Sequence, residues 1–417
     1  MIITRALYGL KSSGAAFRAH LAEKLHDLGY IPSKADGDVW MRPAVKSDKF
    51  EYYEYVLCYV DDILSISHDP MRTMMGIKET FKLKDDKIAE PDIYLGAELS
   101  KLDNVDGDTC WTASSDKYCA AAVQNVEDIL KKQQQRLPSK CSTPIKNGYR
   151  PETDVSPELK ADGIQWYQEM IGMLRWAVEL GRVDILYEVS IMSTFTAMPR
   201  MGHLEQVVHI FGCLKAHKKF RLMFDSSHPQ INPNSFTTYE WEEFYKGVKE
   251  DIPMDAPKER GREVDIFMFV DASHASDVQH RKSQTGILIF INKAPIHWYS
   301  KRQPNIEVST FGAEFCAMRI GIEMIKGLRY KLRMFGIPMG GPASVFCDNE
   351  AVYKNTTIPE STLRKKHHSI AYHYCREAVA AKTIQVAKEG TNTNLSDLFT
   401  KSLTSIGRQF LLERFTY

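Results

Sequence analysis

The sequence predicts a multidomain protein of the α/β and α+β classes, whose C-terminal part is a mixed sheet flanked by helices. The chain has 417 residues, which is enough for two or three domains. From Val264 onward, three strand-like runs come first and are followed by helices that alternate with further strands. Residues 226–263 lack this periodicity and combine Pro, Asn and mixed charge, which is typical of a linker or an insertion.

The composition is that of an ordinary folded protein, with 43% hydrophobic and 11% aromatic residues. Because the net charge is only +1, nucleic-acid binding would depend on local basic patches. The eight cysteines are scattered without a CxxC pair, so we expect buried free thiols rather than a zinc or redox motif. The sequence shows no signal peptide and no membrane-spanning run, and we expect no membrane partner and no secretion.

The N-terminal part contains a pair of adjacent carboxylates between two β-rich runs. Ser12–Leu28 precedes this region and has the apolar stripe of an amphipathic helix. Tyr52–Ser67 predicts a hairpin that carries Asp61 and Asp62 at its turn. A plain hairpin is the simpler interpretation. We prefer metal binding, because two adjacent carboxylates disfavour each other's charged form unless a cation lies beside them.

Four segments in the middle of the chain predict helices that pack together: 115–136, 164–180, 182–197 and 203–218. Three histidines of this region have no acidic or cysteine partner at the spacing of metal ligands along the chain. We therefore expect surface or core histidines at His203, His209 and His217.

The C-terminal part places carboxylates where buried strands end and where helices begin. A single Asp after a strand is more often a turn residue than a functional group. Four such residues in one α/β segment indicate a shared site instead, because ligands gather beyond strand ends in such sheets. A carboxylate cluster of this kind can hold two Mg²⁺ or Mn²⁺ ions for phosphodiester hydrolysis. Its members are Asp271 after Ile266–Val270, Glu314 early in a helix over 309–334, Asp348 after Ala343–Cys347, and Asp397 in a short helix.

These residues lie in motifs that resemble the C-terminal half of the pol polyprotein of copia-type LTR retrotransposons. The resemblance runs from about Arg5 to Leu403. Its N-terminal motifs are Leu7-Tyr-Gly-Leu-Lys-Ser, Tyr59-Val-Asp-Asp, Tyr94-Leu-Gly and Ile171-Gly-Met-Leu-Arg-Trp. Its C-terminal motifs are Val270-Asp-Ala-Ser, Arg281-Lys-Ser-Gln-Thr-Gly, Pro295-Ile-His-Trp-Tyr-Ser-Lys-Arg-Gln, Ala313-Glu-Phe, Cys347-Asp-Asn-Glu-Ala, Lys366-His-His-Ser and Leu395-Ser-Asp-Leu-Phe-Thr-Lys.

The resemblance implies a truncated reverse-transcriptase palm, helical thumb and connection segments, and a ribonuclease H-like domain. The corresponding boundaries are 1–105 for the palm, 106–225 for the helices, 226–263 for the linker or insertion, 264–404 for the ribonuclease H-like domain and 405–417 for a C-terminal tail. The implied partners are an RNA–DNA hybrid, template RNA, complementary DNA and upstream pol segments. The implied compartment is the cytoplasm, in a virus-like particle, or the nucleus. The resemblance also implies an association with DNA integration.

The resemblance also implies roles for individual residues. Two Mg²⁺ or Mn²⁺ ions would be held by Asp271, Glu314, Asp348 and Asp397. His367 matches a catalytic histidine in a loop near the site, and His368 is a rival for that role. Tyr59, Asp61 and Asp62 match the polymerase hairpin, with metal-binding roles for the two Asp residues. Nucleic-acid backbone contacts would come from Arg281, Ser283 and Lys301, for which a solvated surface is an equal alternative.

Two departures from the family pattern qualify these expectations. Phe311-Gly312 replaces a polar pair before Ala313-Glu314, and a helical Gly costs roughly 1 kcal/mol relative to Ala, which predicts a less rigidly held Glu314. The family's first polymerase Asp lies upstream of the Leu7 motif, and this chain begins only a few residues before it. We therefore expect ribonuclease H activity without polymerase activity from this chain alone.

Two alternatives to that expectation remain. One is a catalytically inert, nucleic-acid-binding remnant of a decayed retroelement. The other is a metabolic α/β enzyme, which the lack of a Gly-rich cofactor loop and of a nucleophile–base motif disfavours.

Overall fold

A computed structural model describes residues 12–83, 87–363 and 366–416. These residues divide into two compact units. The first unit contains the described residues up to Leu95, together with Asp251–Val264 and Lys326–Gly340. The second contains Gly96–Glu250, Asp265–Ile325 and the described residues from Gly341 onward. The motif that begins at Leu7 lies outside the described residues, apart from its last residue.

The first unit is built on an antiparallel sheet with two helices against it. The sheet has the order β1-β2-β3-β4, and its strands are Ile31–Pro32, Val39–Val45, Glu51–Tyr59 and Asp62–Ile66. The helices are α1 (Ser13–Asp27) and α2 (Pro70–Lys78), and a short strand β5 (Ile93–Tyr94) follows. Leu25, Val56 and Ile77 are fully buried between the sheet and the helices. This core follows from the apolar stripe that the sequence shows in α1.

The predicted hairpin is confirmed, with a difference in its turn. Tyr59 pairs with Asp62 across β3 and β4, so Val60 and Asp61 form the two-residue connection and Asp62 opens β4. Val60 has a φ of +56°, a conformation that a β-branched residue adopts only at an energetic cost.

The second unit begins with strands β6 (Ala97–Asp103) and β7 (Thr109–Ser114), and β8 (Arg221–Phe224) extends their antiparallel sheet. The helices between β7 and β8 confirm the predicted ones, with boundaries α3 (Asp116–Lys132), α4 (Ala161–Glu179), α5 (Leu186–Ser193) and α6 (Met201–Ala216). They share a core that includes Val126, Tyr167, Met170, Leu174 and Phe211. Apolar residues recur at every third or fourth position of these helices, which gives each helix an apolar face, and these faces pack together.

Cysteine pairing differs from the expectation of free thiols. Cys141 and Cys213 are joined in a disulfide bond across 72 residues of sequence. His209 also has a cysteine partner, since its Nε2 lies 3.2 Å from Cys141 Sγ. The expectation of free thiols is therefore wrong for Cys141 and Cys213. The reason is that the segment after α3 folds back along α6, which spacing along the chain does not reveal.

The C-terminal part of the second unit forms the predicted mixed sheet, with the strand order β11-β10-β9-β12-β13. Its strands are β9 (Ile266–Ser273), β10 (Gln284–Ile291), β11 (Ala294–Arg302), β12 (Ala343–Cys347) and β13 (Ile384–Lys388). β9, β10 and β11 are antiparallel, whereas β12 runs parallel to both β9 and β13. The accompanying helices are α7 (Thr310–Met334), α8 (Glu350–Thr357), α9 (Ser369–Ala380) and α10 (Ser405–Leu412), and a 3₁₀ helix spans Leu395–Phe399.

Two segments outside this sheet pack against the same unit. In the region predicted as a linker or insertion, Trp241 is 9% exposed, and the Arg376 guanidinium lies 4.9 Å from the centre of a Trp241 ring. In the C-terminal segment, Leu411 and Phe415 are buried in the apolar cluster that contains Phe290. No helix in the described part of the chain combines the length and apolar character needed to cross a membrane.

Candidate active site

Asp271 and Asp348 are neighbours because of how β9 and β12 pair. The parallel pairing of these strands reaches Val270 and Cys347, and each carboxylate is the next residue along its strand. On its other edge β9 continues to Ser273, and Asp271 itself pairs with Gly286. The expectation that the β9 strand stops at Asp271 is therefore wrong, although the pairing with β12 does end there.

Glu314 reaches the two aspartates from the first turns of α7. One ligand atom from each of Asp271, Glu314 and Asp348 lies within 4.8 Å of the others. The start of α7 is fixed by Gln303, whose Nε2 donates hydrogen bonds of 2.9 Å to Thr285 Oγ1 and to the Ala313 carbonyl. This connection holds the backbone next to Glu314, and Glu314 is only 8% exposed.

Asp397 approaches this cluster from the 3₁₀ helix, although it is not one of the three residues whose ligand atoms lie within 4.8 Å of one another. Asn394 caps this helix by accepting a hydrogen bond from Ser396 N, and its Nδ2 donates a 3.0 Å bond to the Val270 carbonyl. The helix approaches the sheet closely at Gly286, where a Cβ atom would lie 2.7 Å from the Ser396 carbonyl oxygen. A side chain at position 286 would therefore push the helix that carries Asp397 away from Asp271.

The mutual repulsion of buried carboxylates is visible in their pKa values. Burial, followed by the charges of Asp271 and Asp348, raises the pKa of Glu314 well above its usual value. Burial and the Asp271 charge also raise the pKa of Asp348. The same two causes raise the pKa of Asp397 to about 7, and Lys401 opposes them.

Thr400 and Lys401, which follow Asp397 in the chain, complete the polar contacts of the site. Lys401 Nζ lies 2.8 Å from Asp397 Oδ1 and 3.7 Å from Asp271 Oδ2, and Thr400 Oγ1 donates a hydrogen bond to Asp271. Sequence reasoning missed both roles, together with those of Gly286 and Asn394. The four-residue spacing from Asp397 to Lys401 and the glycine within an apolar strand were usable signals.

The residues present fit a hard divalent cation. Such ions prefer carboxylate oxygens, and a bound cation relieves the repulsion that raises these pKa values. Two-metal phosphodiesterase sites hold their ions roughly 3.5–4 Å apart, which carboxylates bridging from several directions can accommodate. The site is not an exposed acidic patch, because Asp271 and Asp397 are only 3% and 6% exposed.

His367 and His368 are the two candidates for the catalytic histidine. The side chain of His367 lies outside the described residues. His368 is buried, with its Nε2 3.6 Å from Glu307 Oε2 and its ring edge-on to Phe311. Gly312 makes room for that ring, since a Cβ atom there would lie 2.6 Å from His368 Nε2.

The three candidate nucleic-acid contacts have unequal surroundings. Arg281 and Lys301 are exposed. Ser283 is fully buried, and its Oγ accepts a 3.1 Å hydrogen bond from Ala275 N. The expected backbone contact from Ser283 is therefore wrong, because its hydroxyl supports the loop after β9.

A groove beside the carboxylates offers a basic surface that the sequence did not reveal. Its walls come from the segment before α4, from α5, and from the loop between β9 and β10, and it reaches the carboxylates at Ser273 and Lys401. Its charged lining residues are five cations, Lys146, Arg150, Lys282, Arg302 and Lys401, and two carboxylates, Glu152 and Asp277. The excess of cations suits a polyanion.

The Asp61–Asp62 hairpin contrasts with this arrangement. Tyr59 is 58% exposed, and both Asp61 and Asp62 are exposed on the turn. Among the described residues, the clusters of three or more potential metal ligands do not include this pair. The structure therefore leaves the two adjacent carboxylates without a third ligand from the part of the chain it describes.

Comparisons with known proteins find sequence similarity to polyproteins of transposons. It is 25% identical over 405 residues to the retrovirus-related Pol polyprotein from transposon RE1 of Arabidopsis thaliana, covering 96% of this chain and 24% of that protein. It is 25% identical over 409 residues to the corresponding polyprotein from transposon TNT 1-94 of Nicotiana tabacum, covering 96% of this chain and 27% of that protein. The polyprotein from transposon RE2 of Arabidopsis thaliana is 22% identical over 410 residues, covering 98% of this chain and 24% of that protein. The chain thus spans about a quarter of the length of these relatives.

No protein-family model matches the chain. Among solved structures, the N-terminal RNase H domain of Rv2228c from Mycobacterium tuberculosis, fused to maltose-binding protein, aligns with a TM-score of 0.25 and 9% identity, over 36% of this chain and 98% of that one. The resemblance that the motifs predict is confirmed by the sequence relatives: over nearly its whole length, the chain is similar to a segment of the Pol polyproteins of copia-type transposons.

Proposed function

We propose that this chain hydrolyses the RNA strand of an RNA–DNA hybrid at the site formed by Asp271, Glu314, Asp348 and Asp397. The observation that carries the proposal is the convergence of three carboxylates to within 4.8 Å, with Asp397 beside them through Lys401, whose Nζ lies close to both Asp397 and Asp271. The similarity to Pol polyproteins supports it, because the four residues lie in motifs that resemble the ribonuclease H part of that family.

Each carboxylate has a distinct structural role in the proposed reaction. Asp271 is central, because it lies in the cluster with Glu314 and Asp348 and also contacts Thr400 and Lys401. Two bound Mg²⁺ or Mn²⁺ ions would supply Lewis-acid activation of a water molecule and stabilisation of the leaving 3′ oxygen. Asp271 and Asp348 would hold them at the strand ends, with Glu314 and Asp397 completing the oxygen ligands. The expected products carry 3′-hydroxyl and 5′-phosphate ends.

The basic groove supports the choice of substrate. A nucleic-acid strand carries one phosphate per nucleotide, and protein cations that contact phosphates position the strand without reading its bases. Lys282 and Arg150 line the groove, and Lys401 connects it to the carboxylates. Recognition of the RNA strand would add contacts to its 2′-hydroxyl groups, which distinguish RNA from DNA.

Polymerase activity is not part of this proposal. Asp61 and Asp62 are exposed at their turn, and the described residues contribute no third metal ligand there. Primer extension by the purified chain should therefore not exceed that of an Asp61→Asn/Asp62→Asn variant. Extension clearly above that control would contradict the proposal.

The experiment that tests the proposed function is hybrid cleavage by the purified chain with Mg²⁺ or Mn²⁺. An end-labelled RNA strand should be cut when paired with DNA, and not when single-stranded or when replaced by DNA of the same sequence. The matched control is Asp348→Asn, which should bind the hybrid without cutting it. Binding without cleavage by the unmodified chain would favour the alternative of an inert nucleic-acid-binding remnant.

A further inference from the structure

A second group of potential metal ligands lies far from the carboxylates in sequence and differs from them in chemistry. One ligand atom from each of Cys141, His209 and Cys213 lies within 4.8 Å of the others. Cys141 and His209 are half-buried, whereas Cys213 is 3% exposed. The sulfurs of the two cysteines are joined in a disulfide bond, with Cα atoms 5.0 Å apart. None of these residues takes part in the proposed hydrolysis.

The group forms because the segment after α3 folds against α6. His209 and Cys213 are four residues apart on α6, so their side chains lie on one face of the helix. The backbone carbonyl of Thr143 accepts a 3.0 Å hydrogen bond from His209 Nε2, and its oxygen lies 3.2 Å from Cys213 Sγ. This carbonyl holds the segment in place and brings Cys141 to the same face.

One tautomer of the His209 imidazole has the hydrogen bonding that metal-binding histidines usually have, although Nε2, at 3.2 Å, is the ring nitrogen nearer to Cys141 Sγ. A ligating histidine typically donates its other ring N–H to a backbone carbonyl or a carboxylate. Here Nε2–H can donate to the Thr143 carbonyl, which leaves the lone pair of Nδ1 available 4.0 Å from Cys141 Sγ. In a tetrahedral zinc site, bond lengths near 2.3 Å to sulfur and 2.0 Å to nitrogen separate these atoms by about 3.5 Å. Zinc binding therefore requires this separation to shorten by about 0.5 Å.

We propose that Cys141, His209 and Cys213 bind one Zn²⁺ ion when the two cysteines are reduced, with a water molecule as fourth ligand. Reduction requires a thiol reductant: a dithiol transfers two electrons and two protons to the Cys141–Cys213 bond and becomes a cyclic disulfide. Zinc binding then releases the two thiol protons, because thiolate is the ligating form. The disulfide and the zinc site are therefore mutually exclusive states of the same residues.

The donor set distinguishes this site from the carboxylate cluster. Two thiolates and an imidazole are soft and borderline ligands, which select Zn²⁺ over Mg²⁺. The carboxylates of the proposed active site have the opposite preference. Each state, disulfide or zinc-bound, attaches the segment at Cys141 to α6. The residues that immediately follow this segment, including Lys146 and Arg150, line the basic groove.

The test is a Co²⁺ titration of the full chain, reduced with a dithiol that is then removed without air, in excess Mg²⁺. Thiolate-to-cobalt charge transfer absorbs in the near ultraviolet, and carboxylates do not produce this band. We expect one equivalent of Co²⁺ to generate the band and one equivalent of Zn²⁺ to abolish it. His209→Ala should weaken Co²⁺ binding at least about tenfold. Cys316→Ser, which removes a half-buried thiol elsewhere in the same unit, should leave binding unchanged.

The disulfide-linked wild-type chain is the control that needs no substitution, and it should show no charge-transfer band. The Cys141→Ser/Cys213→Ser variant should also lack the band, with its folding verified by circular dichroism. If that variant does not fold, the comparison of reduced with oxidised wild type decides. Absence of the band from the reduced wild type, or its persistence in the folded double variant, would overturn the proposal.

Discussion

The molecule contains two acidic groups that sequence reasoning treats alike, and their surroundings differ sharply. Asp61 and Asp62 are adjacent in sequence and exposed on a hairpin turn. Asp271, Glu314 and Asp348 are separated by dozens of residues, yet they converge from two strands and a helix. Asp61 belongs to the turn and Asp62 opens β4, and the clusters of potential metal ligands in the described part of the chain include neither residue. Convergence of distant elements is the better indicator of a metal site.

The largest expected difference is between removing one carboxylate of the buried cluster and removing both carboxylates of the exposed pair. Asp271→Asn should lower the rate of hybrid cleavage by roughly a thousandfold or more, because metal stabilisation of the transition state amounts to several kcal/mol. The matched variant Asp61→Asn/Asp62→Asn should cleave the hybrid at a rate within about twofold of the wild-type rate. Single-turnover cleavage of a labelled hybrid measures both. An equal reduction in the two variants would remove the distinction between the groups.

The next largest effect concerns Gly286, which has no side chain and so lets the 3₁₀ helix that carries Asp397 lie close to the sheet. A Cβ atom at position 286 would lie 2.6 Å from Thr400 Cγ2 and 3.0 Å from Phe399 Cβ. Gly286→Ala should therefore lower the free energy of unfolding by about 1–3 kcal/mol and reduce cleavage. Gly172→Ala is the control, since nothing lies within 4 Å of its added methyl group. That control should gain up to about 1 kcal/mol in its helix. Unchanged cleavage in folded Gly286→Ala would argue against a catalytic role for Asp397.

A smaller effect is expected in the basic groove. Arg150→Ala/Lys282→Ala should weaken binding of the hybrid, and the slope of log affinity against log salt should fall by about 0.9 for each phosphate that the variant no longer neutralises. Lys246→Ala, which removes an exposed cation outside the groove, should change neither quantity. Fluorescence anisotropy at several salt concentrations measures both. An unchanged salt slope in the double variant would exclude these two residues from phosphate binding.

The smallest expected effect is a pH-dependent difference in stability. Because the pKa of Asp397 is raised from 3.8 to about 7, the folded chain holds this proton more tightly than the unfolded chain does. The resulting stabilisation is fully present below about pH 4 and is lost as pH rises through about 7. In chelator, Asp397→Asn should therefore gain stability relative to wild type between these pH values, as followed by chemical denaturation.

Glu188 contributes to the same pH window, since burial raises its pKa to about 7. Its contribution is common to the wild type and Asp397→Asn, so it cancels in the difference between them. Mg²⁺ should reduce that difference by stabilising the wild-type carboxylates. A difference in unfolding free energy that does not vary with pH would contradict the raised pKa of Asp397.

Local patterns in the sequence predict the element that carries each proposed active-site residue. Asp348 follows an apolar run, and Glu314 opens a helix with an apolar stripe, so their positions at element ends follow from periodicity. The contact between Lys401 and Asp271 could not be predicted with equal security, because it requires the 3₁₀ helix to lie against β9. The grouping of Cys141 with His209 has the same cause: residues 68 positions apart meet only through the packing of the segment on α6.

Gly312 also shows that local sequence does not reveal contacts between distant segments. Gly312 suggests a loosely held Glu314 when only helix propensity is considered. In the folded chain it admits the ring of His368, and the adjacent Ala313 carbonyl is bound by Gln303. Propensity describes a residue in isolation, whereas close approach depends on what the fold places beside it.

The most direct measurement is anomalous diffraction from crystals of the chain grown with Mn²⁺ and an RNA–DNA hybrid. Our account predicts two anomalous peaks roughly 3.5–4 Å apart, both coordinated by Asp271 and flanked by Glu314, Asp348 and Asp397. Crystals in which the hybrid is bound but no Mn²⁺ peak lies within coordination distance of Asp271 would contradict it.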